Sequence, residues 1–137
     1  MKKTVYHNET LPDLRKWFNW GINISDFKET FFVTGTVDIQ KDNHSANFPN
    51  DPVRQIKFIL EQAEKTFSQA GYTKDDIIFT NWTVTKDVTE EQTWALFDVW
   101  EQYIKDVEVK PATGTFKRIH GLISPEVMVE IEFILAR

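Results

Sequence analysis

The chain has 137 residues, 41% of them hydrophobic and 27% charged, with five Gly and five Pro, which is enough to bury one core and excludes a disordered or fibrous chain. A formal net charge of −5 works against the basic surface that non-specific nucleic-acid binding requires, so a nucleic-acid partner is not expected. No cysteine is present, which excludes disulfides, thiolate nucleophiles and cysteine-based zinc sites and suits a reducing cytoplasm.

After Met1-Lys2-Lys3, the stretch Thr4 to Arg15 is polar and charged where a signal peptide would need an uninterrupted apolar run. No stretch approaches the roughly 20 apolar residues of a membrane span. The expectation is therefore a single cytoplasmic domain over residues 1–137, without a membrane partner.

In chain order, Lys16 to Ile24 and Phe31 to Ile39 are rich in aromatic and β-branched residues, and Ser25 to Glu29 supplies a turn between them. This pattern predicts a β-hairpin. The polar segment Gln40 to Asn50 predicts a long loop. Asp51-Pro52 then provides an N-cap followed by a first-turn proline, where the missing N–H costs nothing. Val53, Ile56, Leu60, Ala63, Phe67 and Ala70 recur at helical spacing up to Gly71, which can take the left-handed conformation that ends a helix. Phe58 lies off this stripe and is free to meet a second surface.

Ile77 to Thr85 predicts a strand with Ile78, Trp82 and Val84 on one side and Ile77, Phe79, Asn81 and Thr83 on the other. Thr89 with Gln92 forms a capping box for a second helix whose apolar stripe runs Trp94, Phe97, Trp100, Ile104 and Val107, widened by Leu96, Val99 and Tyr103. Two last strands are expected over Thr113 to Ile119 and Val127 to Leu135, joined by a turn at Ser124-Pro125. In the second of these, Val127, Val129, Ile131, Phe133 and Leu135 form an apolar face, opposite Met128, Glu130, Glu132 and Ile134. The resulting β-β-α-β-α-β-β order is that of an α+β domain with two helices on one face of a mixed, mostly antiparallel sheet. The uncovered face carries Phe and Thr residues beside Gly35, Glu130 and Glu132, so a monomer would expose a sizeable mixed patch and an oligomer is expected.

Glu130 and Glu132 point the same way, about 7 Å apart at the rise of a strand. Two carboxylates on a partly buried surface repel, and one of them can be held protonated or poised as a base; a purely structural pair is the competing reading. His7, His44 and His120 have no metal-ligand spacing, so neither a metal nor a cofactor is expected. Trp17, Phe18 and Trp20 could form an aromatic wall for a ligand, or pack a core. No serine lies in a nucleophile elbow, and neither Gly35 nor Gly71 belongs to a phosphate loop.

Four segments in this order resemble the Rid family, the YjgF-type proteins named variously as enamine or imine deaminases, translation inhibitors or endoribonucleases. They are Phe31-Phe32-Val33-Thr34-Gly35; Gln55 with Gln69-Ala70-Gly71; Asp76-Ile77-Ile78 running into Val84-Thr85-Lys86-Asp87; and Val129-Glu130-Ile131-Glu132. With Pro111-Ala112, the resemblance covers about residues 16 to 137. It implies a chorismate-mutase-like fold and a homotrimer whose sheets form a central barrel, with small-molecule sites in the clefts between subunits.

In the best-known members an arginine after the Pro-Ala pair grips the substrate carboxylate, and the first glutamate of Glu-Ile-Glu positions the attacking water. The resemblance makes Glu130 the catalytic candidate and Gly35, Thr113, Thr115, Phe18, Trp20 and Leu96 the ligand-binding candidates. Thr113 stands at the arginine position, where a neutral hydroxyl cannot replace a planar charged fork. Thr115 stands for a cysteine, Leu96 for an asparagine and Phe18 for a tyrosine. Lys117, ~13 Å further along an unbroken strand, is a poor substitute for the arginine.

Two functional classes follow, beside a third, a ribonuclease, which inherits only a family name: the sequence has no recognisable acid–base constellation for RNA cleavage and its charge is unfavourable. One is a deaminase-type hydrolase cleaving an imine, enamine or related C–N bond in a substrate unlike the small 2-imino acids. The other is a non-catalytic trimer that binds a metabolite for regulation or sequestration.

Overall fold

In the computed structural model, which describes residues 1–137, the chain order is β1 (Lys2–Tyr6), β2 (Gly21–Ser25), β3 (Thr30–Thr36), α1 (Pro52–Ser68), β4 (Ile77–Thr85), α2 (Glu90–Tyr103), β5 (Ala112–Thr113), β6 (Lys117–Ile119) and β7 (Val129–Ala136). β3, β7 and β4 lie side by side and antiparallel, while β5 and β6 both run parallel to the far edge of β4. Both helices pack on one face of this sheet, which makes the fold α+β on a mixed, mostly antiparallel sheet. Neither helix is long and apolar enough to cross a membrane.

The helices follow their sequence signals. The Asp51 carboxylate accepts from the Arg54 amide at 3.1 Å with Pro52 in the first turn, and Gly71 takes a φ of 81° beyond the helix end. Ile56, Leu60, Ala63 and Phe67 are buried as the spacing requires, and Ile59 widens the stripe. Phe58 meets Phe48 of the same chain, their rings 6.4 Å apart. At α2 the Thr89 hydroxyl accepts from Gln92 N and the Gln92 side chain accepts from Thr89 N, the reciprocal capping box. Trp94, expected in the buried stripe, is instead 52% exposed.

The strands depart from expectation in three places. First, residues 16–24 and 31–39 do not form a hairpin: β2 begins only at Gly21 and pairs with β1, whereas β3 pairs with β7. The aromatic richness reflects a turn in which Phe18 is core and Trp17 packs half-buried against that core, and Asp26 at φ 57° directs the chain away after β2. Second, Ile78 sits at a register shift between β4 and β7, so Ile77 joins Thr80, Trp82 and Val84 on the helix side. Third, the expected strand Thr113 to Ile119 is two short pieces, and β4 lies between them and β7. The last two strands are therefore not neighbours.

The turn carrying Phe18 is locked under α2. Phe18 stacks on Trp100 at 5.8 Å and meets Trp82 edge-on at 6.2 Å, while the Trp100 indole N–H donates to the Trp17 carbonyl at 3.0 Å. Gln55 makes a second tie: its amide donates to the Phe48 and Glu126 carbonyls at 2.8 Å each and its oxygen accepts from Met128 N at 2.8 Å, all out of contact with water. Such a fully bonded buried amide fixes α1, the loop before it and the start of β7 in one arrangement.

Candidate functional site

Because Val129, Ile131, Phe133 and Leu135 all face the helices, alternation along β7 places Glu130, Glu132 and Ile134 on the open side of the sheet. Cross-strand pairing then builds rows. Phe32, Ile134 and Phe79 form an apolar row; Glu132 and Asn81 form the next; Glu130, Thr83 and Lys117 form a third. A shallow hollow of about 290 Å³ opens over the first two rows, lined by Phe32, Thr34, Phe79, Asn81, Glu132 and Ile134. A larger hollow of about 680 Å³, between the segment after β3 and α1, contains none of the candidate residues.

Gly35 and Glu130 meet in the third row. A β-carbon at Gly35 would lie 2.5 Å from Glu130 Oε1 and 3.0 Å from its Cδ, so the glutamate lies over bare backbone that only glycine provides. Burial, and then the neighbouring Glu132 carboxylate, push the Glu130 carboxyl above the usual carboxylate range. Glu130 is thereby closer than an ordinary glutamate to the balance between acid and base near neutral pH.

The other candidates lie elsewhere. Thr113 pairs with Thr80, a buried helix-side residue, and its hydroxyl donates to the Thr80 carbonyl at 3.0 Å. Thr115 is exposed in the break between β5 and β6 and offers its carbonyl to Lys117 at 3.1 Å. Phe18 and Leu96 are core residues with almost no exposed surface, because the turn before β2 and α2 close on each other. Trp20 is 42% exposed and gives its indole N–H to the Pro12 carbonyl, so it shares no wall with Phe18.

One arrangement was not legible in the sequence. The Lys117 ammonium donates to Asn81 Oδ1 at 2.6 Å, and Asn81 Nδ2 donates to Glu132 Oε2 at 2.8 Å. Alternation places Asn81 on the correct face, but its partners come from β6 and β7, and the one-residue shift in pairing across the break is what puts Lys117 on that same face.

Comparison with known proteins agrees with this architecture. The YyfB protein of Yersinia pestis, described as a protein of unknown function of the conserved Rid family, is similar over 100% of both chains at 20% identity, with a TM-score of 0.84. YyfA of the same organism, described in the same way, covers 99% of this chain and 100% of its own at 22% identity and a TM-score of 0.65. A member of the YjgF/YER057c/UK114 family from Mycobacterium tuberculosis is similar over 99% of this chain and 100% of its own at 18% identity, with a TM-score of 0.61. These likenesses carry the fold. Membership rests on the family model described as Endoribonuclease L-PSP, which matches residues 18–137: the chain belongs to this family, also known as the Rid or YjgF family.

Proposed function

We propose that this chain is a small-molecule-binding protein of the cytoplasm that works as a homotrimer and hydrolyses an imine, enamine or related C–N bond in a cleft between subunits. The observation that carries the reading is Glu130 seated over Gly35 on the open sheet face, partly buried and raised in pKa. In the reaction a water adds to the electrophilic C=N carbon while Glu130 takes its proton. With the substrate as its protonated imine, Glu130 returns that proton to the carbinolamine nitrogen, ammonia leaves, and the hydroxyl proton passes to Glu130 as the carbonyl forms, so that water and a protonated imine give a carbonyl compound, ammonia and one proton. The apolar row of Phe32, Phe79 and Ile134 supplies both the surface that subunits would bury and a wall for an apolar substrate.

The same geometry argues against small 2-imino acids. Thr113 is neutral and its hydroxyl is spent on Thr80, so a substrate carboxylate would find no charged fork at that position. Losing such a charge-assisted bond costs roughly 1.5–3 kcal/mol, about ten- to 150-fold in binding. This commitment of Thr113 also favours the second reading, a non-catalytic trimer that holds a metabolite.

The test generates imines in situ with an amine or amino-acid oxidase and follows ammonia release with wild type and Glu130→Gln. Acceleration with a neutral or aromatic imine, lost in Glu130→Gln and absent with 2-iminopropionate, is the expected outcome. Acceleration of 2-iminopropionate at the rate of an arginine-bearing relative would refute the substrate assignment. Ligand-induced thermal stabilisation without turnover of any imine would leave the binding reading in its place.

A further inference from the structure

Asn81 stands between a cation and a carboxylate, and its chemistry leaves one orientation. An ammonium can only donate, so the amide oxygen must face Lys117; the amide nitrogen then faces Glu132 and donates to it. Gly114 makes the seat for this side chain, since a β-carbon there would lie 2.8 Å from Asn81 Oδ1 and 3.0 Å from the Phe79 ring. Glu132 is therefore drawn across the sheet toward β4 and β6, away from Glu130, which leans the other way over Gly35 on β3. The charged groups facing Glu130 are Glu132 on its own strand and Lys117 across Thr83; β3 and β4 present only uncharged residues on this face, Thr34, Gly35, Thr83 and Asn81 nearest, and the helices lie on the opposite side of the sheet.

We propose that Lys117 and Asn81 are positioning residues that hold the Glu132 carboxylate turned away from Glu130, so that the face carries one fixed carboxylate and one proton-handling carboxylate. The inference rests on Glu130 being the acid–base group of the site. Burial over Gly35 already favours the proton on Glu130; a like charge free to swing back would add repulsion and couple the two groups more strongly. The tether keeps that repulsion at a fixed, reduced level, and Glu132 acts on the reaction only through Glu130.

The test reads the titration of Glu130 directly, by side-chain carboxyl carbon shifts in the intact assembled protein, and needs no turnover. Removing the like charge in Glu132→Gln lowers the Glu130 midpoint by at most about 1.7 pH units, the limit for charges as near as ~7 Å in protein-surface-like surroundings, because the tether holds the two carboxylates farther apart than that strand spacing. Asn81→Leu frees Glu132 to swing back and raises the Glu130 midpoint, and Lys117→Met moves it in the same direction. In a Glu132→Gln background the effect of Asn81→Leu vanishes, because the residue through which Asn81 acts no longer carries charge. Should Asn81→Leu fail to fold, Asn81→Ala serves in the same cycle. An Asn81 substitution that leaves the Glu130 midpoint in place, or shifts it equally in both backgrounds, overturns the proposal. An intact cycle in a protein that turns over no imine would refute the hydrolase and keep the tether; turnover with a broken cycle would do the reverse.

Discussion

Gly35→Ala separates the role of Glu130 from the stability of the fold. The new β-carbon would lie 2.5 Å from Glu130 Oε1, 3.0 Å from Cδ and 3.2 Å from Cγ, whereas carbon contacts are comfortable near 3.5–4.0 Å, so the carboxylate must retreat by about 1 Å. The obstructed atoms are the far end of a flexible side chain that can rotate toward solvent. The structural cost is then that of an off-rotamer side chain, about 0.5–1.5 kcal/mol, which for a chain of this length lowers Tm by only a few degrees. The functional cost is larger, because misplacing a reacting group by about 1 Å is worth roughly 100-fold in rate. The assay pairs calorimetry with turnover of the best imine substrate and with the carboxyl carbon titration of Glu130, whose midpoint falls toward the ordinary carboxylate range as the group becomes solvated. A variant with wild-type turnover and an unmoved Glu130 midpoint would refute the seat of Glu130 on Gly35. A collapse in Tm would show that the position is structural instead.

Three further outcomes follow from the same structure. Phe32 is 70% exposed on the open face beside Phe79 and Ile134, and burying that row in a trimer of 16.1 kDa chains gives a sedimentation mass of 48.3 kDa; 16 or 32 kDa at micromolar concentration would be incompatible with it. The raised Glu130 carboxyl makes ionisation harder in the folded than in the unfolded state, so its penalty is absent below about pH 4 and grows as pH rises through the folded midpoint. Glu130→Gln is therefore expected to unfold at a higher temperature than wild type at pH 7 to 8 and at the same temperature near pH 4; the opposite pH trend would contradict burial as the cause. Gln55→Leu leaves the Phe48 and Glu126 carbonyls and the Met128 amide without their partner, and denaturant unfolding should show a loss of about 3 kcal/mol or more; a loss under about 1 kcal/mol would mean that water replaces the amide freely.

Local chemistry was readable wherever the signal and its consequence lie within a few residues. The capped starts of α1 and α2, the Gly71 stop and the apolar face of β7 each follow from side-chain type and a period of 3.6 or 2, so the sequence by itself determined the two helices, the last strand and the face on which Glu130 sits. It also carried the family, because the Phe-Phe-Val-Thr-Gly and Val-Glu-Ile-Glu segments stand in the required order. Strand pairing was decided only in three dimensions. Trp17 and Phe18 have the composition of a strand, yet tertiary packing of Phe18 against Trp82 and Trp100 and of Trp17 against Trp94 and Phe97 makes them a turn. An unbroken strand would carry Thr113 and Lys117 on the same, helix-facing side; the break at Gly114 to Phe116 shifts the parallel pairing with β4 by one residue, from Thr80–Thr113 to Thr83–Lys117, and so turns the lysine to the open face, where its ammonium meets Asn81. Period and propensity report which side of a strand a residue occupies, but a hydrogen bond between side chains on β4, β6 and β7 depends on which strands are neighbours and in what register, and that is settled only when the whole sheet assembles.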